Sequence, residues 1–386
     1  MRFVHTADVH LDACFASSRM AARVANRRRQ SIRDVFHSII RRTREWPADA
    51  LLIAGDLFEQ ERVTRDTVAF ILSELASLET IPVIIAPGNH DPFISASPYA
   101  TETWPENVHV FSEPTWSTLS LQEGRLQVHG FAFDGFDISS SPYGALQAPE
   151  NGAVHIAVAH GSERGHQPPE GKLYAPFDAA SMVLPGLRYV ALGHFHRVTE
   201  IKGVSGTVMW YPGMPEGQGF DETGPRHYLE VEIENDSVRV NPVVSSSVVY
   251  AVYEIDCTSL VSAQQIVDQL RAWSAQASTP QVARVTLSGA CRPSIVAELS
   301  AIRDASADGF EHLLLLDETT PAEDFEELAR ETSTLGAFIR RLNEEIRDAP
   351  DLQRKRMLER AREAGLAAHR DQKMAVQGLD VDGDGS

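Results

Sequence analysis

Along the first two hundred positions the apolar residues come in short continuous runs: Arg2 to His5, Ala50 to Ala54, Pro82 to Ala86, Val154 to Ala159 and Tyr189 to Leu192. Runs of this length, rich in valine, isoleucine and leucine, predict strands buried on both faces, as in a parallel sheet. Between them the spacing turns helical, over Arg27 to Arg44 and Thr64 to Leu78, so residues 1–245 predict a layered α/β sandwich. A valine- and serine-rich stretch, Val238 to Val252, marks a boundary. After it, strand-like Tyr250 to Ile255, helical Ser262 to Ser274, strand-like Ala283 to Leu287, helical Pro293 to Asp304 and strand-like Glu311 to Leu316 predict a small α/β domain over 246–320. From 321 to 376 the pattern is helical. Phe325, Leu328, Leu335, Phe338, Ile339, Leu342 and Ile346 share one face, and a second helix is expected from Asp351 to His369 with Leu352, Leu358, Ala361 and Leu366 on its apolar side. Residues 377–386, with Asp380, Asp382 and Asp384, copy the opening half of a calcium loop without its closing glutamate, and an acidic disordered tail is expected there.

Each of the five strand-like runs stops at a polar or glycine position followed by metal-ligating side chains. They read Asp8-Val9-His10, Gly55-Asp56, Gly88-Asn89-His90-Asp91, His160-Gly161 and Gly193-His194-Phe195-His196. Side chains just past the carboxyl ends of strands converge on one crevice in an open α/β sheet, so distance along the chain is no obstacle to a shared site. The donors are oxygen and nitrogen without thiolate, which suits manganese, iron or zinc ions better than a structural cysteine site. They exceed the needs of one ion. Two divalent ions roughly 3.5–4 Å apart would use them all and form a clamp for in-line displacement at phosphorus. Asp56, alone in its motif between the first and third clusters, is the natural bridge. Taken singly, most of these histidines read better as hydrogen-bonded loop or core residues; it is jointly that they read as ligands. His5, His129 and His155 sit inside strand-like segments and are expected to be core or supporting residues, and His166 a solvated loop residue.

With these motifs in order, the chain resembles the calcineurin-like metallophosphoesterases. The opening Phe3-Val4-His5-Thr6-Ala7-Asp8-Val9-His10-Leu11-Asp12, continuing through Ala13-Cys14-Phe15, is similar to their DNA-repair exonuclease branch of SbcD-like and YhaO-like nucleases. The likeness extends over about residues 1 to 230. It implies Asp8, His10, Asp56 and His196 as ligands of a first metal and Asp56, Asn89, His160 and His194 as ligands of a second. By the same resemblance His90 lies near the leaving group, Asp91 orients it, and two divalent ions, manganese in preference to iron or zinc, are the cofactors. The resemblance also implies that 246–320 caps the site and helps hold DNA, and that 321–376 docks an SMC-like ATPase subunit. A self-packed helical hairpin is the alternative for the latter segment, and a homodimer is compatible with the family.

Composition narrows these readings. With 386 residues and 43% hydrophobic content the chain can bury a large core. No run of about 18 apolar residues and no basic-then-apolar opening is present, so neither a membrane partner nor secretion is expected. Cys14, Cys257 and Cys291 show no metal or redox spacing, and a reducing cytoplasm is expected. The net charge of −19 has the wrong sign for gripping DNA by counterion release. Arginines nevertheless crowd one helical segment, from Arg19 and Arg23 through Arg27, Arg28 and Arg29 to Arg44, and Arg27, Arg28 and Arg29 are candidate DNA contacts beside the metals. The sequence predicts a metal-dependent exodeoxyribonuclease. A general phosphoesterase acting on nucleotides, phosphoproteins or small diesters, and a metal-stabilised scaffold, are the competing readings.

Overall fold

The computed structural model describes residues 1–15, 20, 22–138, 143–166, 172–202, 206–235 and 237–369. Arg19 and the acidic tail at 377–386 lie outside the described residues. In chain order the strands of the first part are β1 (Arg2–Thr6), β2 (Ala50–Ile53), β3 (Val83–Ile85), β4 (Val108–Val110), β5 (Ser117–Leu121), β6 (Leu126–Gly130), β7 (Val154–His160), β8 (Leu187–Gly193), β9 (Thr199–Glu200), β10 (Val208–Tyr211), β11 (His227–Glu234) and β12 (Ser237–Val244). Helices α1 (Ala22–Glu45), α2 (Arg65–Ala76) and the short α3 (Pro98–Thr101) fall between the first four strands. All five predicted strands form, each within two residues of its expected ends.

Two six-stranded sheets are built from them, ordered β12-β11-β1-β2-β3-β4 and β5-β6-β7-β8-β10-β9. β1, β2, β3 and β4 run parallel, as do β6, β7, β8 and β10. The continuous apolar runs are explained by burial on both faces. Leu51 and Ile53 of β2 pack with Phe36, Ile39, Ile71 and Leu75 of the helices. Leu52, between them, points the other way to meet Phe3, Val128, Ile156, Val158 and Leu229 between the sheets. A third layer, including Phe131, Phe133, Tyr143 and Met209, covers the far side of the second sheet.

Compactness divides the chain into two units. The first holds residues 1–255, 263–287 and 299–317. It therefore contains, with the sandwich, most of a three-stranded sheet of β13 (Val249–Asp256), β14 (Gln281–Ser288) and, after the two-residue strand β15 (Ala290–Cys291), β16 (His312–Asp317). On it lie α4 (Ala263–Gln276) and, past the single turn α5 (Pro293–Val296), α6 (Leu299–Ser306). One helix was expected over Pro293 to Asp304, whereas two short ones form.

The second unit holds residues 256–262, 288–298 and 318–386. It contains β15, the partner strand β17 (Thr320–Pro321), α5, and helices α7 (Phe325–Arg330), α8 (Thr334–Arg347) and α9 (Leu352–His369). The expected long helix is broken after Arg330. Ser333 caps α8 by accepting from Gly336 N, which starts a new helix instead of extending the old one. Leu335, Ile339 and Leu366 pack with Phe325 and Leu328, and the Arg362 guanidinium lies 3.7 Å from the Phe325 ring centroid. Much of the predicted apolar stripe is thus packed inside this unit; Phe338 of that stripe is exposed, as is Met357, which lies outside it. Among the described residues no helix is long and apolar enough to cross a membrane.

Candidate metal centre

The carboxyl ends of β1, β2, β3, β7 and β8 deliver the predicted motifs to one place. Asp8, His10 and His196 offer ligand atoms within 4.8 Å of one another, and so do Asp56, His160 and His194. Asp56 Oδ2 lies 3.3 Å from His160 Nε2 and 3.8 Å from His10 Nε2, between the two groups. Asn89 Oδ1 joins the second group at 3.0 Å from His160 Nε2. A third set, His10, Asp56 and His90, overlaps the first.

The loops that carry these ligands are stitched together by their backbones. Asp8 N donates to Gly55 O at 3.0 Å, His10 N to Asp56 O at 2.9 Å, and His90 N to Asp56 Oδ1 at 2.8 Å. Gly55 is required here, since its φ is +86° and a Cβ would run into the His160 imidazole. Four ligands themselves adopt positive φ: Asp8 at 52°, His10 at 50°, Asp56 at 53° and His194 at 113°. Non-glycine residues rarely do so.

Hydrogen bonding decides which nitrogen of each imidazole faces the centre. Oxygen acceptors that cannot donate hold the Nδ1–H of His10 (Glu59 Oε1, 2.8 Å), of His160 (Ala54 O, 2.9 Å) and of His196 (Glu222 Oε1, 2.6 Å). In a neutral ring that leaves the Nε2 lone pair aimed inward, the arrangement used to orient metal-bound histidines. His10 Nε2 is buried with no hydrogen-bond partner. His160 Nε2 faces the oxygens of Asp56 and Asn89, so lone pairs would meet lone pairs unless a cation lies among them. Burial pushes the His160 pKa down, but Asp56 and Asp8 override it and raise it to about 9, so a proton is drawn to the place a metal ion would take. Burial likewise opposes the charge on Asp56, yet His160, His10 and His90 hold its carboxyl well below the usual range. This donor set fits a pair of divalent ions.

His90 is half-exposed and sits at the edge of the cluster, its ring centroid 4.8 Å from that of His10. Its Nδ1–H donates to Glu59 Oε2 at 3.2 Å, which together with Asp56 outweighs burial and raises its pKa to about 9. A cavity of about 660 Å³ opens here, lined by Asp56, Asn89, His90, His194 and His196 and by the cations Lys172 and Arg197.

Several expectations are corrected. Asp91 does not orient His90. Its carboxylate is fully engaged below the loops, accepting from Asp56 N (2.9 Å), Gly88 N (2.7 Å), Leu57 N (2.7 Å) and the Tyr99 hydroxyl (2.7 Å). Burial and the nearby Asp56 raise its pKa to about 6 against those bonds. Glu59 is the carboxylate that reaches His90. Arg28 is not a DNA contact: its side chain is fully buried, pairs with Glu216 at 2.7 Å and donates to Gly217 O at 2.9 Å. Arg27 pairs with Glu311 at 2.5 Å, and Arg29 bonds Asn26. His166, expected to be a solvated loop residue, is exposed in its loop and also lines the cavity, with its Nδ1–H donating to Glu163 Oε2 at 2.7 Å. His5 is a core residue, as expected, and His129 and His155 are bonded to each other at 2.9 Å.

Sequence reading missed Glu59, Glu222 and Tyr99. Each lies in a loop or a short helix with no periodicity, and nothing but the fold brings it to its partner.

A family model described as calcineurin-like phosphoesterase matches residues 1–198. The chain is 27% identical over 302 residues to the metallophosphoesterase YhaO of Bacillus subtilis, covering 75% of this chain and 72% of that protein. It is 27% identical over 256 residues to the DNA double-strand break repair protein Mre11 of Methanopyrus kandleri, covering 61% of this chain. To the D subunit of the B. subtilis nuclease SbcCD it is 25% identical over 260 residues, covering 58% of this chain. The matches span 51% of the Mre11 relative and 64% of the SbcCD relative. Among solved structures, a dimetal phosphatase from Danio rerio is similar with a TM-score of 0.42 at 10% identity, over 63% of this chain and 95% of that one.

Proposed function

This chain belongs to the calcineurin-like phosphoesterase family, and on that premise we propose that it is a two-metal phosphodiesterase that shortens DNA from its ends in repair, working with an SMC-like ATPase. The observation that carries the reading is the convergence of the candidate donors around Asp56, with the half-exposed His90 at the mouth of the same cavity. Manganese is the proposed native ion, and a reducing cytoplasm the proposed compartment. Asp8, His10, Asp56 and His196 would hold one ion, and Asp56, Asn89, His160 and His194 the other. When bound, the pair would supply Lewis acidity at the phosphate and lower the pKa of water in the site.

The remaining work falls to the chain itself. Asp56 and Asp8 would offset only part of the charge of two bound divalent ions, so the centre would stay cationic and attract a phosphate. Glu59 holds the Nδ1–H of His90, leaving Nε2–H to donate to the oxygen that departs from phosphorus. Arg197 in the cavity wall would offer charge to the diester oxygens, while Lys172 in the same wall is paired with Asp137 at 2.8 Å. The names of two relatives, a DNA double-strand break repair protein and a nuclease subunit, support DNA as the substrate to test first. Residues 246–320 would cap the site, and an ATPase would dock on the helical segment through what its internal packing leaves exposed, Phe338 and Met357.

One observation favours a general phosphoesterase instead: burial of Arg28 and pairing of Arg27 remove much of the cationic surface that a DNA grip would use. The two readings separate in one assay. Turnover of linear duplex DNA, single-stranded DNA and bis-p-nitrophenyl phosphate is compared with and without Mn²⁺. Metal-dependent shortening of DNA supports the nuclease, whereas turnover confined to the small ester supports the general enzyme.

A further inference from the structure

Arg28 is an arginine with 0% exposure on a helix whose other described arginines are exposed or partly exposed, and its burial has a destination. Its guanidinium reaches Glu216 Oε1 at 2.7 Å and Gly217 O at 2.9 Å, with the Tyr250 ring centroid 5.6 Å away. Ser247 closes the far side of Glu216, donating N–H to Oε2 at 2.8 Å and its hydroxyl to Oε1 at 3.0 Å. The next residue along, Gln218, donates its N–H to Glu222 Oε2 at 2.8 Å and its side-chain amide to Val9 O at 3.4 Å. Glu222 then accepts from His196 Nδ1 at 2.6 Å, and Arg226 donates to His196 O at 3.0 Å. The 216–226 loop thus grips both ligand-bearing segments of the first site, the one between Asp8 and His10 and the one at His196, and Arg28 ties that loop to helix α1.

We infer that Arg28 is a positioning residue for the first metal site: by fixing the 216–222 loop it fixes Glu222, and Glu222 fixes the tautomer and direction of His196. The chain of contacts is continuous from a buried guanidinium to an imidazole Nδ1, and it bypasses the ligands of the second site, His160 and His194. Such supporting bonds set metal affinity through the ligand they orient. A buried pair that served stability alone could be exchanged for apolar residues of similar volume at little cost.

The inference rests on the two-metal reading, and Mn²⁺ titration of the full chain, followed by electron paramagnetic resonance beside thermal melting, tests both. Arg28→Met together with Glu216→Met removes the buried charges in step, so the fold should persist, but the bond to Gly217 O is lost. One of the two Mn²⁺ equivalents should weaken about tenfold while the other keeps its affinity, and Arg28→Lys, which retains one donor, should fall between. Glu222→Gln leaves the anchor in place and should weaken that same equivalent by about 10–100-fold. A folded double variant that binds both equivalents as wild type does, or loses both equally, overturns the inference, as does an unaffected Glu222→Gln protein. Wild type that binds fewer than two equivalents overturns the two-metal reading and this one with it.

Discussion

Glu59 Oε2 accepts the Nδ1–H of His90 at 3.2 Å, while the other oxygen of the same carboxylate holds His10 at 2.8 Å. One acid therefore sets both a buried imidazole of the candidate metal centre and the exposed one. Burial opposes the charge on Glu59, but the two imidazoles win and bring its pKa to about 2, so it is anionic throughout the neutral range. Glu59→Gln should lower turnover of a small diester by about 10–100-fold. It should also move the alkaline limb of kcat to lower pH, because the acceptor that raises the His90 pKa is gone. A pH profile of unchanged shape would show that Glu59 does not govern the proton on His90.

His90 itself is not needed to gather the predicted ligands. His90→Ala should retain two metal equivalents while turnover falls by about 10²–10⁴-fold, the range for loss of general-acid assistance. Single-turnover rates close to wild type would remove His90 from proton transfer.

Asp56 stands between the two ligand groups, its Oδ2 within 3.8 Å of His10 Nε2 and 3.3 Å of His160 Nε2. Asp56→Ala should therefore impair both equivalents in metal analysis, where loss of a terminal ligand such as His194 should impair one. Retention of both at wild-type affinity would disprove the bridge.

Buried His5 couples stability to pH. Its Nε2–H donates to Leu192 O at 3.2 Å, so the neutral ring accepts the Tyr189 hydroxyl at Nδ1, 2.8 Å away. Burial lowers its pKa from 6.5 to about 3, against the Leu192 bond. Between those values the unfolded chain takes up a proton that the folded chain refuses, so this stability is complete above pH 6.5 and declines as pH falls toward 3. The decline is about 1.4 kcal/mol per pH unit, or about 2 kcal/mol by pH 5. His5→Gln can keep both hydrogen bonds without titrating. Urea unfolding at pH 7.5 and pH 5 should show the wild type losing more than the variant by that amount, and parallel losses would refute the coupling.

What the sequence disclosed and what it hid divide along a physical line. Ala50 to Ile53 and Val154 to Ala159 were readable as strands because burial on two faces writes itself as an unbroken apolar run. The candidate ligands, which the fold brings together, were readable as a set because they follow such strands directly. Glu59 and Glu222 were not, since their function lies in a partner 49 and 26 residues away and leaves no local pattern. Arg28 misled because an arginine among arginines on a helix looks solvated, and only Glu216, 188 positions on, makes its burial tolerable. The break before α8 hid behind a spacing of apolar residues that continues across it, while Ser333 stops one helix and begins another.

Asp8, His10, Asp56 and His194 all hold positive φ, a geometry that costs on the order of 1–3 kcal/mol per residue in sparsely populated regions. Selection for endurance to heat would favour glycine at those four positions, and selection for a cation would forbid it. The two pressures act on the same residues in opposite directions. Strength lost in these turns must be made up in the twin sheets beneath them, so a mutation in the distant core of the sandwich can extinguish activity without touching a single ligand.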